Sequence, residues 1–381
     1  MFRGQSTNPD SSPRDGIYTD LFGGITAVAE TGDLIPDGNG DPFSSDNAVF
    51  GFSSPTISGS NIVFEGDSPG AAHRGIYATF GGGALEKVID TRHGSNGGFT
   101  TLASPAIDGD NIAFWGFSVF TFPLSTSFEG IYRHTGGSGG SSATIADEGD
   151  TVLGKTPVRI MQTFSSAQVD IDGTDTVFMA RDSFDLWGLY RTFGTLAVGA
   201  PRIYAGTGIP GGGDTFDLFF TSSVSADAGA TAFEGQNTSG SVQGVYGIDG
   251  FSATTVADLT TPVPNEAGTF TSFSEVSIEG ITGDVVFLAQ DVSGNPGLYA
   301  AHSGIIGLLV EVGDLLDGRT VSGLSFGHEG LDGTTAVFAA TFTDGAEGIF
   351  TTDITTALIP EPASAMWLAV PALGRVIRRR R

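Results

Sequence analysis

Apolar and polar residues alternate over short stretches along most of this chain, and Gly-, Ser-, Asp- and Pro-rich connections separate the stretches. Alternation at period two is the mark of a half-buried β-strand, and no longer window sustains the 3.6-residue period of a helix. The strands recur in phase. A Gly-apolar-aromatic triplet occurs seven times, beginning at Gly16, Gly75, Gly130, Gly188, Gly244, Gly297 and Gly348, at intervals of 51 to 59 residues. Ahead of every triplet except the first stands an apolar stretch ending in Phe: Phe64, Phe114, Phe178, Phe233, Phe287 and Phe338. Several of these stretches follow a tight-turn signal such as Asp108-Gly109-Asp110, Asp172-Gly173 or Asp332-Gly333. Such pairs suit a hairpin, because Gly tolerates positive φ and Asp bonds its own backbone. After each triplet but the last comes a short strand with an acidic or turn-like end, as in Val28–Asp33, Ile145–Asp150 and Leu309–Asp314.

One repeat therefore reads as four short strands, illustrated by Thr100–Ile107, Asn111–Gly116, Gly130–His134 and Ala143–Ala146. Four short strands bury too little surface alone, so successive units must pack face to face. A repeat of about 55 residues belongs to propellers and arrays. The expected fold is an all-β propeller of about seven four-stranded blades over residues 16–359. In this reading the first blade holds only its third and fourth strands. A six-bladed ring is the alternative count, and a parallel β-helix, with its shorter coils, is the runner-up fold. Residues 1–15 are polar and are expected to be disordered. They contain no apolar h-region of a secretory signal.

The repeat register breaks at Ile359. Pro360-Glu361-Pro362-Ala363-Ser364 is followed by the apolar Trp367–Leu373 and by Arg378, Arg379, Arg380 and Arg381. This three-part order resembles the PEP-CTERM sorting signal of bacteria that make extracellular polysaccharide. The resemblance implies an exported protein of the outer surface or extracellular matrix, handled by the membrane protease exosortase, with transient membrane contact through the tail. The apolar stretch is shorter than the family's usual span and contains Pro371. Members of that family also carry an N-terminal export signal, so a missing upstream segment is expected. The body, with its Phe, Gly-Ile-Tyr and acidic Gly-Asp phasing, is similar to uncharacterised β-propeller repeats of such exported proteins, a likeness that implies no activity.

Charge narrows the partners. The formal net charge is −26, from 17 basic and 43 acidic residues, and five of the arginines fall in the last seven positions. An acidic body repels phosphate backbones, which disfavours nucleic acid. Cysteine is absent, excluding disulfides and thiolate metal sites. No apolar stretch reaches the 18 residues or so that a spanning helix needs.

No catalytic residue is assigned. His73, His93, His134, His302 and His328 fall in different repeats without ligand spacing. Glu65 and Glu234 each follow a strand Phe, while Asp33, Asp150 and Asp314 each end a fourth-strand segment. Repetition argues that these acids cap turns or accept backbone N–H groups, because a catalytic pair would single out one blade. Gly136–Gly140 and Gly211–Gly213 lack the Lys-Ser/Thr of a phosphate loop. No cofactor is expected. Calcium is the one ion considered, on Asp108, Asp110 and Asn111, which an Asp-Gly hairpin explains equally well. Asn237-Thr238-Ser239 matches a glycosylation sequon. The chain thus reads as a non-catalytic binding or structural module, with extracellular polysaccharide as ligand class. The alternative is a polysaccharide-active hydrolase or lyase using acidic residues at the propeller channel.

Overall fold

The computed structural model describes residues 2–355 apart from 8–12, 20–23, 38–39, 45–50, 54, 70–73, 92–97, 121–125, 153–158, 195–200, 212, 251 and 281. The sorting residues Pro360, Glu361, Pro362, Ala363, Ser364 and Arg378 to Arg381 therefore lie outside the described residues. Among the described residues there is no α-helix, and no helix long and apolar enough to cross a membrane.

The strands form small antiparallel meanders, which are the blades of a β-propeller. The chain divides into two compact units, Met1–Pro201 and Arg202–Arg381. In the first unit, β1 (Phe2–Thr7), β2 (Pro13–Thr19) and β3 (Thr26–Glu30) make a three-stranded sheet. The next two sheets have four strands each: β4 (Thr56–Ser58), β5 (Asn61–Asp67), β6 (Arg74–Thr79) and β7 (Glu86–Asp90), then β8 (Phe99–Asp108), β9 (Asn111–Phe120), β10 (Thr126–Thr135) and β11 (Ser141–Asp147). A fourth sheet contains β12 (Thr151–Val152), β13 (Arg159–Asp172), β14 (Asp175–Asp182) and β15 (Trp187–Arg191).

The second unit opens with β16 (Ile203–Tyr204). Three four-stranded sheets follow. The first has β17 (Leu218–Asp227), β18 (Ala230–Gln236), β19 (Gln243–Asp249) and β20 (Ser252–Asp258). The next has β21 (Ser272–Glu279), β22 (Asp284–Gln290), β23 (Pro296–His302) and β24 (Ile305–Glu311). The last has β25 (Leu315–Leu316), β26 (Arg319–Asp332), β27 (Thr335–Phe342) and β28 (Glu347–Asp353). Among the described residues, six sheets of four or more strands thus follow a three-stranded first one.

Of residues 1–15, expected to be disordered, Phe2–Thr7 and 13–15 instead lie in strands β1 and β2. Phe2 pairs with Tyr18 and Gly4 with Gly16, the register that Phe64 and Gly66 adopt against Tyr77 and Gly75. Phe2-Arg3-Gly4 is therefore the second-strand Phe-x-Gly of the first blade. It lies in a polar stretch without alternation, and only its phase with the Gly16 triplet marks it. The blade holds one more strand than expected.

The third sheet shows why the triplet has its form. The Phe114 and Tyr132 rings stack at 5.7 Å, and Phe99 meets Tyr132 edge-on at 4.7 Å and 82°. The same T-shaped pair recurs as Phe43–Tyr77, Phe216–Tyr246 and Phe270–Tyr299, at 4.8–5.0 Å. Each such pair contributes roughly 0.5–1.5 kcal/mol beyond the burial of its rings. Two glycines make room. A Cβ at Gly116 would stand 2.5 Å from Cε1 of Phe99, and one at Gly130 would stand 2.7 Å from the carbonyl oxygen of Ala146. That carbonyl comes close because the β10–β11 register shifts between Ile131 and Tyr132, a bulge found at the same point in five blades.

Replacing Gly116 with Ala forces Phe99 out of this packing. Urea unfolding should show a loss of roughly 1–3 kcal/mol, the usual cost of overpacking a tight core.

Candidate functional site

Most of the acidic side chains singled out in the sequence hold the scaffold together. At the exits of the fourth strands, Asp33, Asp150 and Asp314 each accept a hydrogen bond at Oδ2 from the backbone N–H three residues earlier, at 2.8, 3.0 and 3.0 Å. Gly32, Gly149 and Gly313 supply the positive φ that closes each turn. The Asp carbonyl then accepts the N–H of the residue that wedges into the next sheet, Phe43, Met161 or Val321, whose own carbonyl accepts the N–H of the glycine before the Asp. Backbone geometry accounts for the recurring Gly-Asp.

A second set links neighbouring blades. Glu65 Oε1 accepts the Ser104 N–H at 2.8 Å, and Glu275 Oε2 accepts that of Phe326 at 2.8 Å. Both donor amides stand at irregularities in the inner strands β8 and β26, where the ladder breaks and an amide needs another acceptor. Glu234, 2 % exposed, instead accepts from Gln243 Nε2 at 2.6 Å. Burial pushes the Glu65 carboxyl up to about 7, against the weaker opposing pull of the Ser104 hydrogen bond and the Arg74 charge. Burial likewise raises Glu129 and Glu275.

The side chains considered for calcium at the Asp108 turn make hydrogen bonds to neighbouring blades. Asp108 accepts from Ser58 Oγ at 2.9 Å and from the Gly173 N–H at 2.6 Å. Asp110 accepts from Asn61, and Asn111 donates to the Gly173 carbonyl. The same latch recurs from Asp227 to the Gly280 N–H and from Glu279 to that of Gly333. This turn is thus a blade-to-blade fastening.

The described histidines follow suit. His134 is buried between Ser142 Oγ and the Gly137 carbonyl. His302 pairs through Nδ1 with the buried Asp284 at 2.7 Å, in the place where Arg191 pairs with Asp175 in the fourth sheet. His73 and His93 lie outside the described residues, as does the side chain of His328. Asn237 of the sequon is 3 % exposed and bonded to Asp214, Ser241 and the Val242 N–H. A shallow depression lined by Ser127, Phe128, Glu148, Ile160 and Gln162 offers a single ionisable side chain.

Among the described residues one group of acids departs from the repeat. Oxygens of Glu266, Asp291 and Glu311, one from each, all lie within 4.8 Å of one another. Glu266 stands on the exposed turn before β21, Asp291 just after β22 and Glu311 at the end of β24. Asp291, 1 % exposed, accepts the Asn295 N–H at 2.8 Å and Asn295 Nδ2 at 3.3 Å. Burial first, then the charges of Glu266, Asp314 and Asp291, raise the Glu311 carboxyl. These three are 25 and 20 residues apart in the chain, and only strand register brings them together. The signal within reach was Glu311, an acid opposite the triplet glycine with no basic residue nearby in sequence.

A model of a family of unknown function, DUF7453, matches residues 1–334. The chain belongs to that family. No curated relative matches it. Among solved structures, this DUF7453 chain is similar to the β-propeller domain of the trilobed protease from Pyrococcus furiosus (13 % identity, TM-score 0.40, 82 % of this chain and 98 % of that one). It is also similar to the BP39L lectin from Burkholderia pseudomallei (11 %, 0.45, 92 % of each chain). A third is the Pyrococcus horikoshii acylaminoacyl peptidase (12 %, 0.49), with 92 % of this chain spanning 49 % of that one.

Two outcomes test the structural role of the acids in this family member. Asp108→Ala should cost roughly 1–3 kcal/mol in urea unfolding, with the same loss in calcium and in chelator, because both carboxylate oxygens accept hydrogen bonds, from Ser58 and from Gly173. For Glu65, the folded chain keeps a proton that the unfolded chain releases above its ordinary value of 4.5. Its contribution to stability is therefore full below pH 4.5 and lost as pH rises through about 7. Glu65→Gln should flatten the melting-temperature profile across that window and melt higher than wild type at pH 8.

Proposed function

We propose that this chain is an exported β-propeller of the bacterial cell surface or extracellular matrix. It acts as a non-catalytic binding or structural module, sorted through residues 360–381 by an exosortase-type membrane protease. The observation that carries the non-catalytic part is the use of the repeated acids: Glu65 and Glu275 hold bulge amides, and Asp33, Asp150 and Asp314 hold turn amides. A carboxyl fixed on a backbone N–H is poorly placed to exchange protons with a substrate. The sorting part rests on the order Pro-Glu-Pro, apolar stretch and Arg run at the chain's C-terminal end. Extracellular polysaccharide is the ligand class that accords with such an address. The strand connections, rich in Gly, Ser, Asp and Asn, offer the small polar groups that hydrogen-bond sugars.

Two measurements test this. In a bacterium with an exosortase, removal of residues 360–381 should shift the protein from the surface or matrix fraction to the periplasm; an unchanged distribution defeats the sorting reading. A glycan array probed with residues 1–359, run beside a reducing-sugar assay, should show selective binding without release. Release of sugar would replace the module with a hydrolase or lyase.

A further inference from the structure

The acid opposite the triplet glycine recurs by register: Glu30 faces Gly16, Asp90 faces Gly75, Asp147 faces Gly130, Asp258 faces Gly244 and Glu311 faces Gly297. Several blades satisfy this acid from their own residues. Glu30 accepts from the Tyr18 hydroxyl at 2.7 Å and from Arg14 at 3.3 Å. Asp90 pairs with Lys87 at 3.2 Å. Asp258 accepts from the Thr260 and Thr261 hydroxyls.

The β21–β24 blade reverses this arrangement. No lysine or arginine pairs with Glu311 among the described residues, and two further carboxylates, Glu266 and Asp291, converge on it. Oε2 of Glu311 is buried with no hydrogen-bond partner. A second observation points into the same place. Tyr299 is fully buried, and its hydroxyl has no hydrogen-bond partner. That hydroxyl folds over Gly297, standing 2.9 Å from where a Cβ there would be, and Gly297 pairs across the ladder with Glu311; the charges of Glu311, Glu266 and Asp291 act on it. Tyr246 also has an unpartnered hydroxyl, but it faces the single acid Asp258, which its threonines already satisfy.

Three carboxylates so close, one of them buried, repel one another unless a positive charge stands between them. We propose that Glu266, Asp291 and Glu311 form a calcium site. The donor set is all oxygen, which suits a hard cation, and no histidine takes part. Calcium takes ligands at about 2.3–2.6 Å, so oxygens across one ion stand about 4.6–5.2 Å apart. The three oxygens here, all within 4.8 Å of one another, fall inside the reach of a single ion. The irregular placement, on a turn, a strand exit and a strand end, suits calcium's loose coordination better than the strict octahedron of magnesium. Glu266, on the exposed rim, gives the ion its way in, and water completes the shell. The Tyr299 hydroxyl then donates to a carboxylate whose charge the ion balances. The site pins the turn before β21 to the far ends of β22 and β24, and it stands independently of the surface-module reading.

Terbium is the probe, because it occupies calcium sites and a nearby tyrosine sensitises its emission. Titrated into the full chain at physiological salt with excitation at the tyrosine band, it should give saturable emission that calcium displaces. Glu266→Gln should weaken terbium and calcium at least tenfold, while Glu347→Gln, an exposed acid outside the triad, should not. In chelator, Glu266→Gln and Glu311→Gln should melt at or above the wild-type temperature, since each removes repulsion. In calcium only the wild type and Glu347→Gln should gain melting temperature. Emission that does not saturate, equal affinity in Glu266→Gln, or a wild-type melting point indifferent to calcium would each overturn the site and leave only diffuse attraction to an acidic surface.

Discussion

Everything in the blades depends on an aromatic side chain folding back over a glycine two residues earlier on the same strand face. Tyr77, Tyr190 and Tyr299 crowd Gly75, Gly188 and Gly297 so closely that a Cβ there would meet the ring at 2.6 to 3.0 Å. The position of the ring fixes the rest. The second-strand Phe stacks on one side, and in four blades a wedge Phe closes the other edge-on. The bulge beside the aromatic residue draws the fourth-strand backbone inward, setting which of its residues face the core. Where the wedge is not aromatic, Met161 and Val321 take its place, and burial remains complete or nearly so.

Fastening between blades is polar and local. A side chain at the end of one inner strand reaches the turn amide of the next, as Asp108 does to Gly173 and Glu279 to Gly333. A glutamate further along reaches the next bulge, as Glu65 does to Ser104. These contacts use acceptors, so a strongly acidic composition serves the scaffold directly. Buried amides left over by bulges need oxygen, and carboxylates supply it without requiring a lysine or arginine in return. That use accounts for acids recurring in phase without implying catalysis.

The sequence carried the strands, the triplets and the turn aspartates because each rests on contacts within a few tens of residues. In the third sheet the four expected strands are found, longer at most ends: the ladder continues through Ser118 and Phe120 after the apolar alternation has faded. Two features escaped. Phe2-Arg3-Gly4 carries the repeat's second strand in three residues amid polar neighbours, too little alternation to register. Glu266, Asp291 and Glu311 meet through a hairpin, a strand exit and an antiparallel pairing, a convergence that no spacing in one dimension encodes. The hydrogen-bonding role of Asp108 was hidden for a related reason: its partner amide, at Gly173, belongs to the following blade.

The uniform register bears on how such a chain finds its fold. Strands from different blades present nearly the same side chains at the same positions, with Phe facing an aromatic partner and a small residue facing glycine, so a strand can dock on the wrong neighbour at little energetic loss. Non-native pairings of this kind are the kinetic traps expected of tandem repeats. What separates right from wrong partners is the part that does not repeat: the varied acid opposite five of the triplet glycines, with an arginine, lysine or threonine partner in three of them, and the unequal lengths of the connecting turns. The irregular polar positions therefore act as address labels during assembly, keeping each strand with its own blade.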